Sequence, residues 1–258
     1  MQWAAEAEAA IKKVPFFVRK KVRTRVEKAA ADAGRNTVTM AEVKAVRARY
    51  LTNMASEVKG YQLDTCFGPA GCPNRSIISD PLNQKIAALL KTEDLLSFLK
   101  TTVNGELKFH HEFRIAMADC PNACSQVQIK DIGIIGAALP IVTDQACTFC
   151  NACVDQCRET AVLIDDKMES VDIDYKRCLA CGKCIDVCPT GTIALDKKGY
   201  RVQLGGKLGR HPQLAQELQG IYSDDEVVDL VRRCIEFYKA NSRHGERFAE
   251  IFNISDFL

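Results

Sequence analysis

Between Thr143 and Leu195 the sequence writes one pattern twice, as Cys147-x2-Cys150-x2-Cys153-x3-Cys157 and again as Cys178-x2-Cys181-x2-Cys184-x3-Cys188. A chain carrying such a repeat is constrained first by where its thiols must meet and only then by its hydrophobic period. Runs of this kind ligate iron–sulfur clusters, and in a two-cluster arrangement the fourth cysteine of each run serves the other cluster. Cys147, Cys150, Cys153 and Cys188 are therefore expected to hold one [4Fe–4S] cluster, and Cys178, Cys181, Cys184 and Cys157 a second. Eight cysteines in duplicate register leave little room for chance spacing or a zinc site. Pro189 follows Cys188, whereas Arg158 takes the corresponding place after Cys157. That difference removes no ligand but bears on solvent access and potential at the second site.

Four more cysteines stand in a different arrangement, Cys66-x5-Cys72 and Cys120-x3-Cys124. Two pairs from separate loops can also supply the four thiolates of a cubane cluster, which makes three [4Fe–4S] clusters in all. The thirteenth cysteine, Cys234, falls in an apolar helical pattern and reads as a small buried hydrophobe. No apolar run reaches the length of a membrane span, and the charged first thirty residues hold no signal-peptide core. A reducing, cytoplasmic setting is expected, where thirteen cysteines mean metal ligation or redox chemistry rather than disulfides.

Charge is distributed unevenly. Residues 1–60 carry 13 Lys and Arg against 6 Asp and Glu, while residues 143–198 carry 7 against 10. The basic stretch reads as helices: Val18, Val22, Val26 and Ala29/Ala30 recur at helical spacing, Gly34 is a C-terminal stop, and Thr39-Met40-Ala41-Glu42 is a capping box. No aromatic stacking platform accompanies the charge, so nucleic acid is not expected as a partner. The acidic stretch suits electron donors with basic docking faces. Residues 61–79 look like loop, 81–101 like helix, 113–118 and 132–136 like buried strands, and 200–204 like a strand entering a glycine-rich loop. Ser223-Asp224-Asp225-Glu226 opens a last long helix, and an apolar tail from Phe248 is expected to pack on the body.

Two resemblances follow from these residues. Residues 3–50, with their Val14-Pro15-Phe16-Phe17-Val18-Arg19 core, resemble the small helical domain of a light-independent protochlorophyllide reductase subunit, which implies an association with tetrapyrroles. Phe113-Arg114-Ile115-Ala116-Met117-Ala118-Asp119-Cys120-Pro121-Asn122-Ala123-Cys124, continuing into Gln128 to Gly136 and matched by Gly205-Gly206-Lys207-Leu208-Gly209-Arg210, resembles the cluster-and-siroheme motif of the sulfite and nitrite reductases. The inserted repeat resembles a bacterial two-cluster ferredoxin, as in low-molecular-weight anaerobic sulfite reductases.

These resemblances imply an α+β chain with an N-terminal helical module (1–60), an α/β siroheme and [4Fe–4S] half-domain (61–142 plus 199–258) and an inserted ferredoxin domain (143–198). They imply that Cys66, Cys72, Cys120 and Cys124 bind a cluster, with Cys124 also the axial ligand of siroheme iron. Siroheme's carboxylates call for cations, and Arg75, Lys130, Lys207 and Arg210 are the candidates. Cys124, Lys207, Arg210 and His211 are the implied catalytic residues, in the reduction of sulfite to sulfide or nitrite to ammonia with electrons from a donor protein. Members of the family place a further half-domain ahead of the first cysteine pair, where this chain has its basic helices. Either those helices substitute for it, a homo-oligomer or partner subunit completes the pocket, or siroheme has been lost. The alternatives are then a siroheme-free three-cluster electron-transfer protein, or a sulfur-carrier or tetrapyrrole-binding protein without turnover.

Overall fold

The computed structural model describes residues 1–165 and 167–257, the side chains of 51–55 excepted. The chain divides into two units, one made of Met1–Val58 with Gly105–His110 and the other of the remaining residues.

In the first unit a short strand β1 (Gln2–Trp3) precedes helices α1 (Ala5–Lys12) and α2 (Phe16–Asp32), and β2 (Thr37–Val38) leads into α3 (Met40–Glu57). β1 and β2 pair in parallel. Fixed backbone torsion at Pro15 starts α2 cleanly, and the Arg19 guanidinium donates back to the carbonyl oxygens of Lys12 at 2.8 Å and Val14 at 2.8 and 3.0 Å, closing the turn between the helices. Gly34, at φ +70°, takes the left-handed position after α2. Thr39 and Glu42 form the capping box that the spacing calls for. Small residues let the helices approach closely: Ala7, Val26, Ala30 and Val38 are buried together, with Trp3 packed against them.

The second unit begins with β3 (Tyr61–Thr65), then α4 (Asp80–Thr92), α5 (Leu95–Thr102), β4 (Phe113–Ala118) and β5 (Ile132–Val142). After β5 come α6 (Ala152–Gln156), the hairpin β6 (Val162–Asp165) and β7 (Ser170–Ile173), and α7 (Lys183–Val187). The chain closes with β8 (Ile193–Leu204), β9 (Gln216–Glu217), α8 (Asp224–Asn241) and α9 (Phe248–Ile251). One sheet of order β3-β4-β5-β8-β9 organises the unit, with β3, β4 and β5 parallel and β8 antiparallel to β5. The fold is a mixture of helix and sheet.

Three local readings are corrected by packing. The loop expected over 61–79 begins with a strand, because β3 pairs along its whole length with β4 and tertiary pairing outweighs composition. The helix expected over 81–101 is two helices, broken where Asp94 adopts a left-handed φ of 42° and caps Ser97 with its carboxylate. β5 and β8 are much longer than the strands expected at 132–136 and 200–204. They stay paired from Ile132↔Leu204 to Val142↔Ile193 with one register shift at Leu139/Pro140, so residues 143–192 hang from a continuous ribbon.

Helix α8 carries the second capping box. It buries Val227, Leu230, Val231, Cys234, Ile235 and Tyr238. Lys239 ties it to the Glu93 carboxylate at 2.7 Å. The tail packs as expected: Phe248 is buried, 5.5 Å ring to ring from Phe113 and 6.1 Å from Phe257.

Candidate functional site

Cys147, Cys150, Cys153 and Cys188 line one small pocket. Cys157, Cys178, Cys181 and Cys184 line a cavity of about 170 Å³. The fourth cysteine of each run thus sits with the other run's first three. Helices α6 and α7 hold equivalent positions in the two copies, and the turns before them match: Phe149 and Ala180 have φ of 53° and 55°, Asn151 and Gly182 φ of 59° and 75°. Left-handed backbone at Phe149 and Ala180, which glycine would adopt more readily, is strain of the kind found where a site dictates geometry. Its effect is visible in the N–H groups aimed at sulfur. Phe149 N–H donates to Cys147 Sγ at 3.3 Å and Ala180 N–H to Cys178 Sγ at 3.4 Å. Ala161 N–H donates to Cys157 Sγ at 3.2 Å and Ile193 N–H to Cys188 Sγ at 3.3 Å.

Crowding thiols out of water makes ionisation harder. Burial, reinforced by Cys178, Cys181 and Cys157, pushes the Cys184 thiol up to about 12. Cys153 is raised by burial and by Cys188 and Cys147, and Cys178 by burial and by Cys181 and Cys157. Cys188 goes the other way: burial opposes its thiolate, but hydrogen bonds from Ile193 and Thr190 more than offset it. Sets made only of thiols, ringed by N–H donors, fit a cationic iron–sulfur core, which would stabilise all four thiolates.

The third set is assembled from the ends of β3 and β4. Cys66 Sγ accepts N–H groups from Gly68 and from Asp119, both at 3.3 Å. Burial raises the Cys120 thiol, and Cys72, Cys124 and Cys66 act on it as neighbouring charges in the same direction. Cys120 is buried, whereas Cys124 is exposed. Ala123 turns the chain between them at φ 50°. Cys124 is thus the most exposed residue of the set, Cys66 and Cys72 being half-buried.

Asp119 is the organiser that the cysteine spacing does not reveal. Its buried carboxylate accepts the Ser79 hydroxyl at 2.5 Å, and its carbonyl accepts the N–H groups of Ser76 at 2.8 Å and Ile77 at 3.2 Å. Gly68 packs so closely that an added Cβ would lie 2.5 Å from Asp119 Oδ2. Burial, the main influence, raises the Asp119 pKa, against the Ser79 hydrogen bonds. The only signal in the sequence is its place directly before Cys120.

The second and third sets adjoin. Cys120, with Asn74, Pro121 and Asn122, lines the same cavity as Cys157, Cys178, Cys181 and Cys184. Ser76 Oγ donates to the Cys181 carbonyl at 3.0 Å, Lys183 Nζ to the Pro73 carbonyl at 2.9 Å, and Ala138 N–H to the Ala180 carbonyl at 2.7 Å.

The candidate cations do not gather in one place. Lys130 and Lys207 are neighbours, since Gly206 N–H donates to the Lys130 carbonyl at 2.8 Å and a Cβ at Gly206 would strike the Gln128 carbonyl at 2.5 Å. Both ammonium groups are paired, Lys130 with Asp64 at 2.6 Å and Lys207 with Glu250 at 3.0 Å. Arg210 and His211 are exposed on the following loop. Arg75 lies beside Ala138 and Lys198. Leu204 faces Ile132 and Lys198 faces Ala138, so Arg75 is about 20 Å along the strand from the Lys207 loop at ~3.3 Å per residue. A charge the sequence reading missed is Asp131, fully buried, accepting Arg114 N–H at 2.8 Å and lying 3.5 Å from Arg247. Burial raises its pKa to about 6 despite Arg247 and Arg114.

Comparison with known proteins places these features. The model of the nitrite and sulphite reductase 4Fe-4S domain family matches residues 74–254, which leaves Cys66 and Cys72 just outside. The model described as the proto-chlorophyllide reductase 57 kD subunit matches residues 3–47. The chain is 40% identical over 143 residues to a coenzyme F420-dependent sulfite reductase of Methanocaldococcus jannaschii, covering 55% of this chain and 23% of that protein. It is 27% identical over 121 residues to a subunit of the anaerobic sulfite reductase of Salmonella typhimurium, covering 47% of this chain and 30% of the relative. Over 39 residues it is 59% identical to a subunit of the light-independent protochlorophyllide reductase of Chlorobium limicola, covering 15% of this chain and 7% of that one. The chain thus spans less than a third of the length of each of these relatives.

Proposed function

Because the chain belongs to the nitrite and sulphite reductase 4Fe-4S domain family, we propose that it is the cluster- and siroheme-bearing part of an oxidoreductase that reduces sulfite to sulfide, or nitrite to ammonia. The observation that carries this reading is the sorting of twelve cysteines into three sets, the second and third of which share one cavity wall. In this reading residues 143–198 are an inserted two-cluster ferredoxin domain within a half-domain of residues 61–142 and 199–258, and residues 1–60 are a separate helical module. Cys147, Cys150, Cys153 and Cys188 hold the first cluster, Cys157, Cys178, Cys181 and Cys184 the second, and Cys66, Cys72, Cys120 and Cys124 the third.

When bound, the clusters pass electrons singly and siroheme supplies the iron at which the oxyanion is reduced. The chain's own residues have definable tasks. Cys124, the exposed residue of its set, would ligate siroheme iron. Asp119 ties the Cys66 loop to the strand end that carries Cys120, its N–H on Cys66 Sγ and its carboxylate on the Ser79 hydroxyl. Arg210 and His211, unburied and on a loop anchored by Gly206, are free to meet an incoming anion and to deliver protons to departing oxygen. Lys207 and Lys130 add positive charge there to the extent that Glu250 and Asp64 release them. Arg75 serves a different end of the sheet, beside the second cluster set.

Those ion pairs favour one second reading, a three-cluster electron-transfer protein without siroheme. The visible spectrum of anaerobically purified protein, with a pyridine extract for siroheme, separates the two. Iron near thirteen per chain with an extractable chlorin supports the reductase, and about twelve with none would sink it. Cys124→Ser should abolish the siroheme absorption and leave the two ferredoxin-type signals in place.

A further inference from the structure

Hairpin β6–β7 closes the first cysteine pocket. Ile164 and Val171, paired across the two strands, line that pocket together with Cys147, Cys150, Cys153 and Cys188. Side chains alternate along a strand, so the neighbouring positions point outward. There Leu163 stands opposite Asp172 and Asp165 opposite Ser170, with Met168 and Glu169 at the turn. Leu163 is 50% and Met168 77% exposed. Asp165, Glu169 and Asp172 form no ion pair among the described residues, and Lys167 is the one basic residue among residues 163–172. The second run has no such face to offer, since Leu179, Ala180, Cys181 and Lys183 are bonded to the body of the unit.

The geometry points to the outer face of this hairpin as the docking surface for a redox protein whose cofactor edge is ringed by lysines, one hairpin away from the first cluster. Two exposed apolar side chains, Leu163 in the strand and Met168 at the turn, with carboxylates at Asp165, Glu169 and Asp172, are the complement of such a partner, and uncompensated charge at the entry point raises encounter rates by tenfold or more at low salt. The inference rests on the cluster assignment proposed above and gives the relay a direction: in at the first set, across the second, out to the third. Each encounter moves one electron between a cluster and the partner's haem or cluster iron, with no bond made or broken.

The test uses the full chain, its clusters reduced with dithionite and excess reductant removed, mixed in a stopped-flow cell with basic ferricytochrome c as the probe. One electron leaves a reduced cluster and converts ferric to ferrous haem. Glu169→Lys with Asp172→Lys should slow this reaction about tenfold at low salt, with the gap closing at high salt, and should not slow oxidation by ferricyanide. Asp165 is left intact because it accepts the turn N–H groups of Lys167 and Met168 at 2.9 and 3.1 Å. Leu163→Ser with Met168→Ser is the second variant, expected to slow cytochrome oxidation at both salt concentrations. Wild-type rates in both variants, or equal slowing by Glu236→Lys on α8, would overturn the docking surface. Absence of siroheme or of sulfite turnover would sink the reductase reading and leave this measurement standing, because the readout is cluster oxidation.

Discussion

Substituting Gly68 by alanine should damage the third cysteine set through one contact. An added Cβ would lie 2.5 Å from Asp119 Oδ2 and 2.7 Å from its Cβ and Cγ, so the aspartate must move. It cannot move freely, since Ser79 holds its carboxylate at 2.5 Å and its N–H is spent on Cys66 Sγ at 3.3 Å. Overpacking costs about 1–3 kcal/mol. Losing the hydrogen bond from Ser79 leaves a buried carboxyl oxygen unpaired, which costs about 1–3 kcal/mol. Relief of the clash comes partly through that loss, so we expect about 3 kcal/mol in the apoprotein, a fall in melting temperature of roughly 6–12 °C for a chain of this size. In reconstituted protein, iron should drop by about four per chain with both ferredoxin-type signals retained. Ser79→Ala removes the hydrogen bond without the clash and should cost less. The double variant should cost clearly less than the sum, because both changes act through Asp119. Additive costs, or wild-type iron in Gly68→Ala, would refute the reasoning.

Three further expectations can be checked separately. Replacing Cys188 by alanine should remove the cluster of the first run, not of the second, because Cys188 shares a pocket with Cys147, Cys150 and Cys153; iron analysis and the loss of spin coupling between the two clusters read this out. Ser223→Ala deletes the hydroxyl that accepts the Glu226 N–H at 3.4 Å at the start of α8, which should lower stability by about 1 kcal/mol in denaturant titrations. Asp131 binds its proton more tightly folded than unfolded, its pKa rising from 3.8 to about 6, so its share of stability is full below pH 3.8 and is lost as pH rises through about 6. Asp131→Asn should therefore flatten the fall in stability between those values, by up to about 3 kcal/mol relative to wild type.

What could be read from the sequence was what is encoded locally or by ligand arithmetic. Cysteine intervals point to which thiols meet, because in a two-cluster repeat the fourth cysteine of each run serves the other cluster, and the pockets are lined in that same exchanged arrangement. The capping boxes at Thr39 and Ser223 need only four residues to declare themselves. Asp119, by contrast, acquires its role from Ser79 and Gly68, which reach it only once β3 and β4 are paired. The same holds for Lys207, whose partner Glu250 lies in the tail, and for Lys130, whose partner Asp64 lies in a strand that composition conceals. Charges were visible in the sequence; their compensation was not.

The length of β5 and β8 is the discrepancy with the largest consequence. A flexible junction at residue 142 would leave the distance between cysteine sets free to fluctuate. In the structure the ladder runs unbroken across that boundary apart from one register shift at Leu139/Pro140, the last partners being Val142 and Ile193. Thr143 N–H then donates to the Thr192 carbonyl at 2.8 Å, extending the ladder to the edge of the first pocket. Backbone hydrogen bonds of this kind resist local opening far better than a linker does. Ala138 is the joint: it faces Lys198 within the ribbon, donates its N–H to Ala180 beside the second set, and meets Gly182 at a distance that admits no Cβ there. The sheet that seats Cys66 and Cys120 therefore also fixes Cys178 and Cys181, so the spacing of the second and third sets is a property of strand register.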